Sequence, residues 1–203
     1  MSVRVKICGV CSVPDARAAI DAGADFLGLN FHPASPRSVS IERAREIAAA
    51  ASVVPLVGVF VDAPRSEVET VADAVGLALL QFHGREDRAY CRDWRWRTIK
   101  ALRPRAGDDV AALAAGWPTD YILLDSYVPG MPGGTGVPLD LAVARGLERA
   151  RLFLAGGLTP ETVATAVATV RPFAVDVASG VECRPGEKDH GKVREFVRRA
   201  KSA

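Results

Sequence analysis

The chain has 203 residues, of which 49% are apolar and 25% charged, with 26 Lys plus Arg against 24 Asp plus Glu. That is enough for one hydrophobic core, and ordinary globular composition excludes disorder, collagen and coiled coil. A net charge of +2 lacks the basic surplus of a dedicated nucleic-acid binder, and no apolar run approaches the ~18–20 residues of a membrane helix.

A short apolar, often β-branched run followed by turn residues and an Ala/Arg/Glu-rich amphipathic stretch recurs along the chain. The apolar runs lie at 3–8, 26–31, 56–61, 78–82, 98–102, 121–125, 151–155 and 173–177. Helical patterns fall at 13–22, 40–51, 65–75, 86–94, 107–116, 138–149, 160–170 and 189–201. Ser12 with Asp15 resembles a capping box, Gly23 suits a helix C-terminus, and Thr159-Pro160 reads as an N-cap with proline at the first helical position. Strands alternating with helices imply βαβ units and a parallel sheet. Eight such units predict a single (β/α)8 TIM barrel, an α/β domain over 1–203. The rival is an open doubly wound sheet, but no G-x-G-x-x-G follows the first run.

A barrel of this kind places its active site at the C-terminal ends of its strands. Strand seven ends in Ala155-Gly156-Gly157-Leu158 and strand eight in Val177-Ala178-Ser179-Gly180. Glycines there let backbone N–H groups approach an anion, so Gly156, Gly157, Ser179 and Gly180 are candidates for holding a phosphate. The alternative is that these glycines only make tight turns. Cys8 and Asp125 end strands one and six and are the acid–base candidates. A thiol is depressed by nearby cations and then acts as a base, while a partly buried carboxyl is raised and acts as an acid. Their plainer alternatives are a small buried hydrophobe and a loop-capping carboxylate. Arg37, after strand two, has the fork to clamp a carboxylate, or it is a solvated surface arginine. His83, after strand four, is a proton shuttle, a polar pocket wall or a packed histidine. Gly133-Gly134-Thr135-Gly136 reads as a lid or a flexible connection beside Asp125. Asp176 lies inside an apolar strand, where a charge must be hydrogen-bonded, and reads as an inward-facing organiser of the loops.

Cys8-Gly9-Val10-Cys11 is also a C-x-x-C, which raises a redox reading. Eight repeating units and a helix start at Ser12, beyond the second cysteine, argue against it. The four cysteines read as free thiols, and the scattered His32, His83 and His190 give no metal spacing. Met1-Ser2-Val3-Arg4-Val5-Lys6 has no apolar signal region. The expectation is a cytoplasmic monomer with a site for a phosphorylated small molecule and no nucleic-acid or membrane partner.

Taken in order, these segments resemble the phosphoribosylanthranilate isomerase family of tryptophan biosynthesis. The resemblance is carried by Lys6-Ile7-Cys8-Gly9, Ser35-Pro36-Arg37, Val57-Gly58-Val59-Phe60 and Gln81-Phe82-His83-Gly84. It continues through Leu124-Asp125 with the glycine-rich loop, Ala155-Gly156-Gly157-Leu158 and the long stretch from Pro172 to Glu182, followed by Pro185-Gly186 and Lys188-Asp189. The resemblance implies a cofactor-free Amadori rearrangement of N-(5′-phosphoribosyl)anthranilate. It makes Asp125 the general acid, Cys8 the general base and Arg37 the holder of the anthranilate carboxylate. The glycine loops after strands seven and eight would hold the phosphate.

Three departures stand out: Cys11 replaces a usual Thr, Phe82 a usual Leu, and Leu139-Asp140-Leu141 a common Phe-Asp-Trp. The first raises an inactivating Cys8–Cys11 disulfide, on spacing alone. The nearest rival is the histidine-pathway aminoaldose isomerase, or a dual-substrate enzyme. That isomerase uses two aspartates, and Cys8 favours the anthranilate substrate. A redox protein and a non-catalytic phosphosugar-binding barrel are the rivals from other classes.

Overall fold

Eight parallel strands hydrogen-bond in sequence order and close on themselves, β8 pairing with β1. The computed structural model describes residues 2–51, 54–105, 107–126, 141–144 and 147–203. Its strands are β1 (Arg4–Cys8), β2 (Phe26–Asn30), β3 (Leu56–Phe60), β4 (Leu79–Phe82), β5 (Arg97–Leu102), β6 (Tyr121–Leu124), β7 (Leu152–Leu154) and β8 (Ala174–Val177). Its helices are α1 (Val13–Asp21), α2 (Ile41–Ala50), α3 (Arg65–Val75), α4 (Val110–Ala114), α5 (Val163–Val170) and α6 (His190–Lys201). A two-stranded hairpin, β9 (Glu182–Arg184) and β10 (Glu187–Lys188), follows β8. The fold is the (β/α)8 barrel that the alternation implies.

Strand period divides each run between two cores. Val5, Ile7, Leu27, Leu29, Leu80 and Phe82 face the helices and join the large outer cluster. Val57, Leu79, Ile99, Leu123, Phe153 and Ala174 fill the barrel itself. Phe26, Phe153, Tyr121 and Phe173 stack there with ring centroids 5.0–6.4 Å apart. This plug fills the N-terminal half of the barrel. The polar groups that end the same inward rows lie beyond it, toward the strands' C-terminal ends.

Local chemistry sets several boundaries. Ser12 caps α1, its side chain accepting from Asp15 N at 3.2 Å. The helix stops where Gly23 takes φ +90°, with Ala24 N donating to Ala19 O and Gly23 N to Ile20 O. Four helix expectations need correction. The 86–94 segment is a set of turns, because Asp87 Oδ1 takes Tyr90 N and Arg65 binds the carbonyls of Tyr90, Arg92 and Asp93. Tyr90 and Trp94 pack on Phe82, so tertiary contacts override the helical pattern. The 107–116 segment shortens to α4, bounded by Gly107 and Gly116 at positive φ. At 160–170, Thr159 Oγ1 accepts from Glu161 N in a turn, and α5 begins only at Val163. In 138–149 the described part holds a 3-10 helix at Leu141–Ala144. The Gly133–136 loop, and Leu139 and Asp140 of the third departure, lie outside the described residues.

Candidate active site

A cavity of about 400 Å³ opens among the C-terminal ends of the strands. Cys8, Arg37, His83 and Asp125 line it, as do Gly156, Gly157, Ser179 and Gly180. These eight candidates therefore meet in one place, and Asp176 lines the same cavity. Most come from different strands or strand ends, which is why no short motif contains them.

Cys8 is the last inward residue of β1, two positions above Lys6 on the same face. Lys6 is fully buried and donates to Asp176 Oδ1 at 2.8 Å. Gly28 of β2 makes room for both, since a Cβ there would stand 2.8 Å from Cys8 Sγ and 3.1 Å from Lys6 Nζ. Burial pushes the Cys8 thiol above its ordinary range; the Lys6 ammonium acts against this, and the Asp176 carboxylate adds to it. The expected depression by neighbouring cations is thus outweighed, because desolvation of the thiolate is the larger effect. Cys8 and Cys11 are both free thiols, and Cys11 donates to the carbonyls of Gly9 and Arg37.

Asp125 follows β6 across the mouth, buried, and its Oδ1 accepts from Ser126 N at 2.8 Å. Its Oδ2 faces His83 Nε2 at 3.4 Å. On the other side of the imidazole, Gln81 Nε2 lies 2.9 Å from Nδ1. With the amide nitrogen as donor, Nδ1 accepts and Nε2 carries the hydrogen that faces Asp125. His83 Nε2 and Gln81 Oε1 are buried and have no hydrogen-bond partner among the described residues.

Arg37 reaches the cavity through space left by Gly9, where a Cβ would come within 2.6 Å of its Cδ. Its guanidinium is not solvated. Nε and Nη2 donate to the two oxygens of Glu182 at 2.9 and 2.8 Å, and Lys188 Nζ donates to Glu182 Oε1 at 2.8 Å. The Glu182 hydrogen bond is the main cause that lifts Arg37 above its usual range. In this cavity-lining residue Nη1 is the guanidinium nitrogen not bonded to Glu182.

At the opposite rim, Gly156 and Gly157 take φ +88° and +65°. Their N–H groups have no acceptor among the described residues. Residues Ser179–Val181 form a short 3-10 helix whose first N–H groups have no partner within it. Gly180 lets this turn lie against β7's loop, because a Cβ there would collide with the Leu158 carbonyl oxygen. Such a rim of backbone donors suits a phosphate. Among the described residues no group of three or more His, Cys, Asp and Glu is placed to hold a metal, and no helix is long and apolar enough to cross a membrane.

A family model described as N-(5′-phosphoribosyl)anthranilate (PRA) isomerase matches residues 5–199. The chain belongs to the PRA isomerase family. It is 51% identical over 199 residues to the N-(5′-phosphoribosyl)anthranilate isomerase of Pseudomonas fluorescens strain Pf0-1, with 97% of each chain covered. The solved PRA isomerase of Thermotoga maritima superposes with a TM-score of 0.90 at 39% identity, covering 99% of this chain and 100% of that one. A further solved PRA isomerase, in complex with reduced 1-(o-carboxyphenylamino)-1-deoxyribulose 5-phosphate, gives 0.85 at 38% identity, with 99% and 100% covered.

Beside the residues expected to act in a PRA isomerase, the site contains others to which the sequence alone assigned no role. Gln81 and Asn30 line the cavity, Lys6 lies beneath Cys8, and Glu182 with Lys188 holds Arg37. Strand period was the available signal for Lys6 and Gln81, which stand two residues before Cys8 and His83. Glu182 and Lys188 stood in the stretches that carry the resemblance, but nothing local gave Glu182 a role, because its partner is 145 residues away.

Proposed function

We propose that this chain catalyses the Amadori rearrangement of N-(5′-phosphoribosyl)anthranilate to 1-(2-carboxyphenylamino)-1-deoxyribulose 5-phosphate, a step of tryptophan biosynthesis. Family membership supports the reaction. The observation that most supports the residue roles is that Cys8 and Asp125 face one cavity from β1 and the end of β6, with bare backbone N–H groups on its rim.

In this reading Asp125 gives its proton to the ring oxygen. The C1′–O bond breaks as the anilino nitrogen's lone pair forms C1′=N. The deprotonated fraction of Cys8, which burial of the thiol keeps small, then takes the C2′ proton; the C–H electrons form C1′=C2′, and the C=N electrons return to nitrogen. The enolamine tautomerises by gaining a proton at C1′ and losing the one on the 2′ oxygen, which yields the ketone. Positioned proton transfer of this kind contributes roughly 10²–10⁴-fold. Arg37 Nη1 takes the anthranilate carboxylate, and His83 Nε2 binds an oxygen of the sugar beside Asp125. The N–H groups of Gly156, Gly157, Ser179 and Gly180 hold the phosphate. That grip on a non-reacting group fixes the reacting carbons between the acid and the base.

The chain works as one domain and as a monomer: among the described residues, Leu113 is the only exposed large hydrophobic. Four free thiols suit the reducing cytoplasm. Turnover of freshly generated phosphoribosylanthranilate, followed by loss of anthranilate fluorescence, tests the reaction in wild type beside Cys8→Ala and Asp125→Asn. Large losses in both folded variants support the roles. Unimpaired variants reject them, and an inactive, reduced, folded wild type rejects the reaction. Light scattering tests the monomer.

A further inference from the structure

Lys6 is a fully buried cation inside a barrel whose other interior layers are apolar and aromatic. The proton transfers described above use neither Lys6 nor Asp176. Burying such a pair is costly, and an apolar pair of similar volume would serve packing as well. Its placement is therefore informative. Lys6 and Cys8 stand on the same face of β1, two residues apart, and both crowd the side-chain-free Cα of Gly28. The ammonium donates to Asp176 Oδ1 at 2.8 Å, and the place of a Gly28 Cβ lies 3.1 Å from it and 2.8 Å from Cys8 Sγ, so ammonium and sulfur stand side by side. Asp176 comes from β8, the strand that closes the barrel against β1, with Lys6 and Asp176 in register.

We propose that Lys6 is a positioning residue for Cys8: its ammonium holds the thiolate in place, while Asp176 anchors that ammonium and limits how strongly it draws the sulfur. The inference rests on the reading of Cys8 as the base and deepens it. Cys8 also faces charges from other elements, Lys188 on β10 and Arg37 in the loop after β2. Burial works to discharge Lys6, but Asp176 and Cys8 together hold its pKa above the ordinary lysine range, so it stays an ammonium. When the thiolate accepts the C2′ proton, the ammonium keeps Asp176 as counter-ion. The buried group passes from one net negative charge to none, so the step strands no charge.

If the ammonium sits at the sulfur and Asp176 tempers it, the two partners should move Cys8 in opposite directions. The test is alkylation of the whole chain by iodoacetamide across pH, resolved by mass spectrometry so that each cysteine is read separately. Asp176→Asn should shift the Cys8 midpoint down by about 1 unit, and Lys6→Met should shift it up by a similar amount. The exposed Cys183 is the internal control and should not move. Shifts of the same sign, or no shift in either variant, overturn the proposal. If Lys6→Met fails to fold because Asp176 is left unpaired, Asp176→Asn decides alone: a lowered midpoint supports the proposal, and an unchanged or raised one overturns it. Turnover by Cys8→Ala, measured in parallel, separates the two levels. Retained turnover overturns the base assignment and with it the role of Lys6. Lost turnover with unmoved midpoints overturns only the role of Lys6.

Discussion

Two buried lysine–carboxylate pairs stand on opposite sides of the barrel wall. Lys6–Asp176 is inside, at 2.8 Å; Lys100–Glu86 is outside, at 2.6 Å, between β5 and the turns after β4. The outer pair is saturated. Lys100 also donates to Gly84 O, and Glu86 accepts from the backbone N–H groups of Asp62 and Gly84. Its charges organise backbone where the expected helix at 86–94 is missing. The inner pair makes no such backbone bonds among the described residues and stands beside a thiol that lines the cavity. Similar pairs at similar depth thus do different work: the outer one is a structural pin, and the inner one serves a reactive group.

Breaking the outer pair should give the largest effect on stability. Lys100→Met leaves Glu86 buried without its cation and should cost about 3–5 kcal/mol. That is a fall in Tm of roughly 6–20 °C for a chain of this size. The folded fraction should turn over substrate as wild type does, and Lys100→Met/Glu86→Gln should recover much of the Tm. A normal Tm, or lost turnover in the folded protein, would erase the distinction between the pairs.

On the inner side, Gly28→Ala inserts a Cβ against Cys8 Sγ and Lys6 Nζ. Displacing the base should lower kcat by about 10²-fold with the chain still folded, since misplacement of about 1 Å costs that much. Steady-state rates and circular dichroism on the same sample check it.

A smaller effect is expected at Arg37. Arg37→Ala should raise KM about 10-fold or more, with a lesser change in kcat, because it removes a charged hydrogen bond to substrate. Glu182→Gln should move KM in the same direction by less, through a loosened guanidinium.

The smallest effect is on pH dependence. Burial pushes the Glu182 carboxyl up, but Arg37 and Lys188 outweigh it and hold the group below its ordinary range. A depressed folded pKa contributes stability above the ordinary carboxylate range, and that contribution is lost as pH falls through the folded value. Urea unfolding at decreasing pH should show a shallower loss in Glu182→Gln than in wild type.

The pattern of strands and helices was legible because each strand of a parallel barrel is a short apolar run bounded by turns. The strand ends were legible because polar and glycine residues there interrupt that pattern. The helix at 86–94 was misread for a physical reason. Asp87 Oδ1 takes the Tyr90 N–H, and Arg65, more than twenty residues earlier, takes the Tyr90 carbonyl, two groups that a helix would have used internally. The hairpin of β9 and β10 escaped because strands of three and two residues are too short to show alternation.

By itself, the sequence determined the (β/α)8 architecture and which residues end the strands, since both follow from local periodicity and turn chemistry. Barrel closure decided the rest. It set β8 beside β1, and so Asp176 against Lys6 beneath Cys8. It also brought Glu182 to Arg37, and His83 to Asp125. These partners lie tens to more than a hundred residues apart. Their charges and hydrogen bonds exist only once the burial of apolar faces has fixed the strand register, and no local pattern carries that information.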